Sequence, residues 1–224
     1  MCGRVRYRDR VPITLTLASA SPARLSTLRS AGVEPQVVVS DVDEDAVLAA
    51  AQESASEPLH PADIAVLLAR AKCDDVVATN PGTDLVLGCD SVLELDGEVH
   101  GKPADPAEAV SRWRRMRGRS GILHTGHWLV DLRDADEGGT GGAVGATSST
   151  LVHFADLSDA EIEDYVATGE PLRVAGAFTV DGLGGPYVTG IEGDFHTVVG
   201  LALPVLRTLL GHLGIPWHTL RSAV

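Results

Sequence analysis

Apolar residues along this chain recur with two periods. Runs that cluster or alternate at every second position predict strands at Ile13–Leu17, Pro35–Val39, Asp84–Leu95, Ile122–Leu132, Leu151–Ala155, Ala177–Val180 and Tyr187–Gly190, with a short strand in the tail. Between them the signals are helical. Ser21 as N-cap and Pro22 at the first helical position open a helix that stops at Gly32. A second runs from Pro61 to about Val77, with Ile64, Leu67, Leu68 and Ala71 on one face. Asp105-Pro-Ala-Glu108 and Ser158-Asp-Ala-Glu161 are capping boxes, opening helices to about Met116 and to Gly169. Val198–Leu210 is the last. The acidic run Ser40–Asp45 is read as a loop, and Asp134–Ser149, with five glycines and little apolar matter, as a mobile one. Strands alternating with helices predict an α/β fold, a mixed sheet with flanking helices. Residues 1–12, charged and without period, are expected to be an extension, and 13–224 a single domain.

Composition narrows this picture. The chain has 224 residues, 18 basic against 31 acidic, a net charge of -13. With 44% hydrophobic and 22% charged residues it is not a disordered chain. Aromatics at 4% leave the core to Val, Leu, Ile and Ala. The acidic balance disfavours nucleic acid and anionic membranes as partners, because phosphate backbones are held by Lys and Arg. The longest apolar stretch, around Val198–Leu206, is far short of the ~20 residues that cross a bilayer. Three cysteines without a CxxC pair suit a reducing compartment, so a cytoplasmic location is expected. Only two of the 18 cations are lysines, Lys72 and Lys102. A compact point charge is one reason to keep a lysine where arginine is otherwise preferred; chance is the other.

Four segments carry candidate chemistry. Leu17–Arg24 is a strand, a small-residue loop and a helix start. Its free N–H groups, the Ser19 hydroxyl and Arg24 suit an anion such as phosphate, or form an ordinary capped helix. Asp90 and Ser91 end an apolar strand; such an Asp holds Mg²⁺, takes a proton from water, or serves a turn. Lys102 is fixed between Gly101 and Pro103. The acidic run Asp41–Asp45 lacks the glycine and closing Glu of an EF-hand. His124 and His127 point to opposite faces of a strand and so do not form a metal pair. The basic cluster Arg112, Arg114, Arg115, Arg117 and Arg119 spreads around a helix and is read as a solvated helix end. No P-loop and no GxSxG occurs.

Read together, these segments resemble the Maf family of nucleotide pyrophosphatases, the septum-formation-inhibitor-like proteins. The matching pieces are LASASPARLSTL (Leu17–Leu28), SDVDE (Ser40–Glu44), LLARAK (Leu67–Lys72), LGCDS (Leu87–Ser91), GEVHGKP (Gly97–Pro103), TGHWLV (Thr125–Val130), YVATGEPLRVAGAFTVDGLGG (Tyr165–Gly185) and VVGLALPVLRTLL (Val198–Leu210). The Arg-rich, Lys-poor composition is similar to the actinobacterial branch. The resemblance implies two lobes around a cleft, a fold similar to the inosine-triphosphate pyrophosphatases. It implies hydrolysis of nucleoside triphosphates to monophosphate and pyrophosphate with a divalent cation, Mg²⁺ or Mn²⁺. By motif, Asp90 would be the proton acceptor; Ser19, Arg24, Lys72 and Lys102 would hold phosphate; Glu44 and Asp90 would hold metal. Three departures bear on base choice: Ala23 stands where the family pattern has Arg, Ser91 where Thr is common, and Asp181 where some members have Gln. The expected partner is a nucleoside triphosphate, and the expected assembly a homodimer. The alternative is a nucleotide-binding regulator of cell division without turnover.

Overall fold

The structure is a computed structural model that describes residues 13–79 and 81–221; the expected extension at 1–12 lies outside them. Strand β1 (Leu15–Ala18) passes through Ser19-Ala20-Ser21 into helix α1 (Pro22–Ser30). Then follow β2 (Gln36–Val37), α2 (Glu44–Ser54), α3 (Pro61–Ala78), β3 (Leu85–Leu95), β4 (Glu98–His100) and α4 (Pro106–Met116). The chain continues with β5 (Ser120–Asp131), β6 (Ala143–Phe154), α5 (Asp159–Ala167), β7 (Val188–Glu192), α6 (Phe195–Val199) and α7 (Leu203–His212), with short 3-10 turns between some of them. The sheet has seven strands in the order β2-β1-β3-β5-β6-β7, with β4 on β3. β1 is parallel to β2 and β3, and the remaining pairs are antiparallel. The mixed α/β sheet with flanking helices is therefore as expected.

Several local expectations are corrected. The acidic run is no loop beyond Asp43: the Asp43 carboxylate accepts from the Ala46 N–H and starts α2, where acidic residues suit the helix dipole. The glycine-rich segment is a loop only as far as Gly142. From Ala143 onward it is the first half of β6, paired with β5 as far as Val130↔Ala143. The expected strand at 177–180 is absent; Ala175–Ala177 is a 3-10 turn with Gly176 and Ala177 both at positive φ. The last helix is two, broken at Gly200 with φ 107, and the tail is a 3-10 turn rather than a strand. The buried face of α3 is Ala65, Leu68, Ala69, Cys73 and Val76, rotated from the expected one. Small residues face inward because α3 lies directly on two sheet glycines. A Cβ at Gly126 would overlap the Ala65 backbone, and one at Gly88 would overlap the Ala69 carbonyl oxygen and lie 2.8 Å from Cys73 Cβ.

Three apolar clusters sit on this sheet among the described residues; the smallest joins Ala18 and Val86 of the sheet to Cys73 and Val76 of α3, and the other two are larger cores. One is largely aliphatic and gathers Leu15, Leu17, Leu85, Leu87, Leu129, Leu206 and Leu210. The other holds the rings of Trp113, Phe154, Tyr165 and Phe178, packed edge to face at 5.0–5.7 Å, with Leu93, Leu95 and Leu123. Strand β3 feeds the first core with Leu85, Leu87 and Cys89 and the second with Leu93 and Leu95; Ser91 falls between. Its cross-strand partner is Thr125, whose partner is Ser148. The seam between the cores is thus a row of hydroxyls. The two-lobed expectation corresponds to these two cores.

Candidate active site

The chemistry gathers where β1 ends beside β3. Ser21 Oγ accepts from the Arg24 N–H, capping α1, and Ser19 Oγ accepts from the Ser21 N–H. The Arg24 side chain turns back across the strand ends. Its Nε–H donates to the Gly200 carbonyl (2.8 Å), Nη1 to Ser19 Oγ (3.0 Å) and to the Cys89 carbonyl (2.8 Å), and Nη2 to Ser91 Oγ (3.2 Å). Four of the roughly five N–H groups of a guanidinium are then committed within the protein. Arg24 ties β1, β3 and the break after α6 together, and one donor remains for an anion. A side chain at Gly200 would crowd Arg24 Nε at 3.2 Å in addition to demanding a positive φ.

Asp90 comes next along β3. It is buried and meets Lys72 from α3, Oδ1 to Nζ 2.5 Å; the same ammonium holds Glu44 Oε1 at 2.8 Å. Glu44 is the first residue of α2, so two helices and a strand deliver one cation and two carboxylates to a point. Burial raises the Asp90 carboxyl above the ordinary carboxylate range, against the pull of Lys72 and Arg24. A carboxylate with raised proton affinity is suited to accept a proton. Among the described residues no three His, Cys, Asp or Glu side chains form a metal site by themselves. Two carboxylates converging on one positive charge are nonetheless an oxygen donor set for a hard divalent cation, completed by phosphate oxygens. Asp90 and Glu44 fit that role.

The hydroxyl seam runs on from Arg24. Thr125 Oγ1 donates to the Thr197 carbonyl at 2.8 Å, so at the 2.8 Å contact between Ser91 and Thr125 the hydrogen comes from Ser91. Ser148 and Thr197 hydroxyls meet at 2.6 Å. Ser91, expected to read the base, has its hydrogen committed to Thr125. Ala23 and Asp181 do share one pocket, of about 260 Å³, with Phe195, His196 and Val199; Ser91 is not part of its wall. His127, on the same side of β5 as Thr125, accepts from the Ala202 N–H at 2.8 Å, and burial and Arg24 hold it down at about 4, hence neutral. His124 is bonded instead to Glu94 and Ser149, so the two histidines do face apart.

Lys102 is exposed on the loop after β4 and touches no member of the Asp90 cluster among the described residues. Its loop is braced on both sides. Arg112 Nη1 and the Gly176 N–H donate to the Gly101 carbonyl, and the Ala104 N–H donates to Glu108, which is paired with Arg112. Arg112 is buried, which corrects the reading of this cluster as a solvated helix end; Arg114, Arg115, Arg117 and Arg119 do pair on the surface. Sequence reasoning missed Thr125, Ser148 and Thr197; Thr125 breaks the apolar pattern of β5, while Ser148 in a run of hydroxyl residues and Thr197 on α6 carried no such signal. It named Arg112 only within a solvated cluster and did not see its burial, for which a tryptophan neighbour was the one hint.

Fold and site define a class: a mixed α/β protein with two cores and a lysine-bridged carboxylate pair beside a capped helix start. A family model described as Maf-like protein matches residues 14–213. The chain belongs to the Maf family. A protein of Salinispora tropica named nucleoside triphosphate pyrophosphatase is 56% identical over 210 residues, covering 92% of this chain and 86% of that one. Proteins of the same name from Leifsonia xyli and Streptomyces coelicolor are 53% and 52% identical, covering 92% and 89% of this chain and 95% and 90% of theirs.

Proposed function

We propose that this protein hydrolyses nucleoside triphosphates to the monophosphate and pyrophosphate, with Mg²⁺ or Mn²⁺, and removes nucleotides the cell does not use. The observation that carries the reading is the buried Asp90–Lys72–Glu44 cluster beside Arg24. Water adds to the α-phosphorus, the bridging oxygen leaves with pyrophosphate, and Asp90 takes the water's proton. Asp90 and Glu44 would hold a divalent cation, which when bound would supply charge neutralisation and a more acidic water. Lys72 keeps the two carboxylates in place; Ser19 and the last Arg24 donor face the phosphates, and Lys102 reaches the polyphosphate from its braced loop. Phosphoryl transfer depends mostly on such positioning and electrostatics. A pocket held only for sensing would have no need of two carboxylates gathered on one buried ammonium beside Arg24.

The base reading is finer. Asp181 on the pocket wall accepts hydrogen bonds only, so it favours bases with a donor edge, guanine or cytosine, over uracil and thymine. Ala23, which lines the same pocket, leaves space and no cation.

The test is product analysis with a panel of triphosphates with and without divalent metal. Pyrophosphate, dependent on metal, is expected; orthophosphate would assign the wrong bond. Asp90→Asn keeps the size of the side chain and should lower turnover about 10²–10⁴-fold while nucleotide binding persists. A near-normal rate removes Asp90 from the reaction.

A further inference from the structure

The segment that carries Asp181 has almost no regular structure to hold it. It leaves the 3-10 turn Ala175–Ala177 and returns to the sheet at β7. What it wraps around is one side chain, Glu170, from the turn after α5. Glu170 Oε1 accepts from the Tyr165 hydroxyl (2.9 Å), the Thr179 hydroxyl (2.5 Å) and the Gly184 N–H (3.1 Å), and Oε2 accepts from the Leu183 N–H (3.1 Å). The Thr179 N–H in turn donates to the Tyr165 oxygen at 3.3 Å. The donors thus bracket Asp181 on both sides, at 179 and at 183–184.

The fit leaves no slack. A Cβ at Gly182 would lie 2.6 Å from Glu170 Oε2 and 2.8 Å from Thr179 Oγ1, and one at Gly184 would overlap the Tyr165 hydroxyl. Tyr165 is itself buried in the aromatic core, edge to face with Trp113 at 5.6 Å and tilted against Tyr187 at 5.3 Å. The carboxylate therefore transmits the rigidity of that core to a loop that has none of its own. A carboxylate is needed because every group facing it is a donor; an amide would turn an NH₂ towards one of them.

We propose that Glu170 is the positioning residue for base selection: it fixes residues 179–184 so that Asp181 stands on the wall of the pocket it shares with Ala23. This rests on the base reading given above. Glu170 touches neither the pocket nor the Asp90 cluster among the described residues, so its effect on substrate choice is exerted through Asp181 alone.

The experiment compares the full-length protein with Glu170→Gln, Asp181→Gln and the double variant. Amide exchange of Leu183 and Gly184 is measured without nucleotide, and kcat/KM for pyrophosphate release is measured with GTP and with UTP. In Glu170→Gln the two amides should exchange roughly 10- to 100-fold faster, as when bonds to a charged acceptor are lost, while sheet amides keep their protection. The GTP to UTP ratio should fall roughly 5- to 50-fold, and the double variant should show the ratio of Asp181→Gln with no further change. A general loss of stability would lower both substrates together and leave the ratio alone. Unchanged exchange, or an unchanged ratio in Glu170→Gln where Asp181→Gln shifts it, overturns the inference. If Asp181→Gln itself leaves the ratio unmoved, the base reading fails and the selectivity role falls with it. If wild type releases no pyrophosphate, the activity reading is what fails, and the exchange rates still decide whether Glu170 holds the loop.

Discussion

Asp131 has no place in the proposed chemistry, yet five hydrogen bonds converge on it: from the N–H, Nε and Nη2 of Arg133 and from the N–H and hydroxyl of Thr140. Burial alone would push its carboxyl up, but these donors outweigh burial and hold it at about 2. Asp90 is buried as well, with a single ammonium on it, and there burial prevails. Depth of burial and the number of donors together decide the sign: Asp90 lies deeper in the molecule and has fewer partners. A carboxyl whose folded value lies below its unfolded one, about 3.9, stabilises the fold above that pH and loses its contribution as pH falls towards 2. Asp131 should therefore contribute about 2–3 kcal/mol near neutrality. Urea unfolding of wild type and Asp131→Asn at several pH values measures this. The gap between them should be full at pH 5 and close between pH 4 and 2; a gap that is constant with pH would refute the assignment.

Helix α3 is the element on which the site depends, because it places Lys72 over Asp90 by lying on Gly88 and Gly126. Gly88→Ala should force it away from the sheet. Overpacking of this kind costs about 1–3 kcal/mol, and hence roughly 3–10 °C in Tm for a chain of this size. Turnover should fall further than the melting point implies, since Lys72 follows Ala69 by one turn; thermal melts and pyrophosphate release together test it, and near-normal values in both would sink the argument. Elements of this sort differ in how far the amino-acid sequence discloses them. The starts of α1, α4 and α5 were legible because capping is local: Ser21, Asp105 and Ser158 each bond an N–H three residues on. Helix α2 was hidden only because Asp41–Asp45 was read as solvated charge, although an Asp N-cap followed by acidic first-turn residues is itself a start signal. The first half of β6 was hidden for a different reason: its glycine and small residues carry no period, and β5 imposes its conformation. Of the site, Asp90, Lys72 and Glu44 were named from motifs and do meet, whereas the braced loop of Lys102 and the grip of Glu170 also depend on distant partners, Gly176 for Gly101 and Thr179, Leu183 and Gly184 for Glu170, at separations where local patterns are silent.

At the scale of the molecule, the net charge of -13 is kept off the site's own balance. Arg24 and Lys72 there face Asp90 and Glu44, two charges of each sign, so an incoming polyphosphate meets a neutral cluster rather than the acidic average. None of the helices among the described residues is long and apolar enough to cross a membrane. The division into two cores has a consequence for how the protein is observed. The coupled rings of Trp113, Phe154, Tyr165, Phe178 and Tyr187 all lie in one core, whereas Trp217 packs on the aliphatic core and Trp128 on the small cluster against α3. Near-ultraviolet circular dichroism should accordingly take its ring-coupling bands mostly from one lobe, while the far-ultraviolet signal reports both. Since β3, β5 and β6 run unbroken through both, the two spectra should melt at one temperature, the mark of a single cooperative transition. A near-ultraviolet signal lost several degrees before the far-ultraviolet one would instead show that the row of hydroxyls at the seam lets the lobes part, and the optical spectrum of the free protein would then read out the state of one side of its cleft.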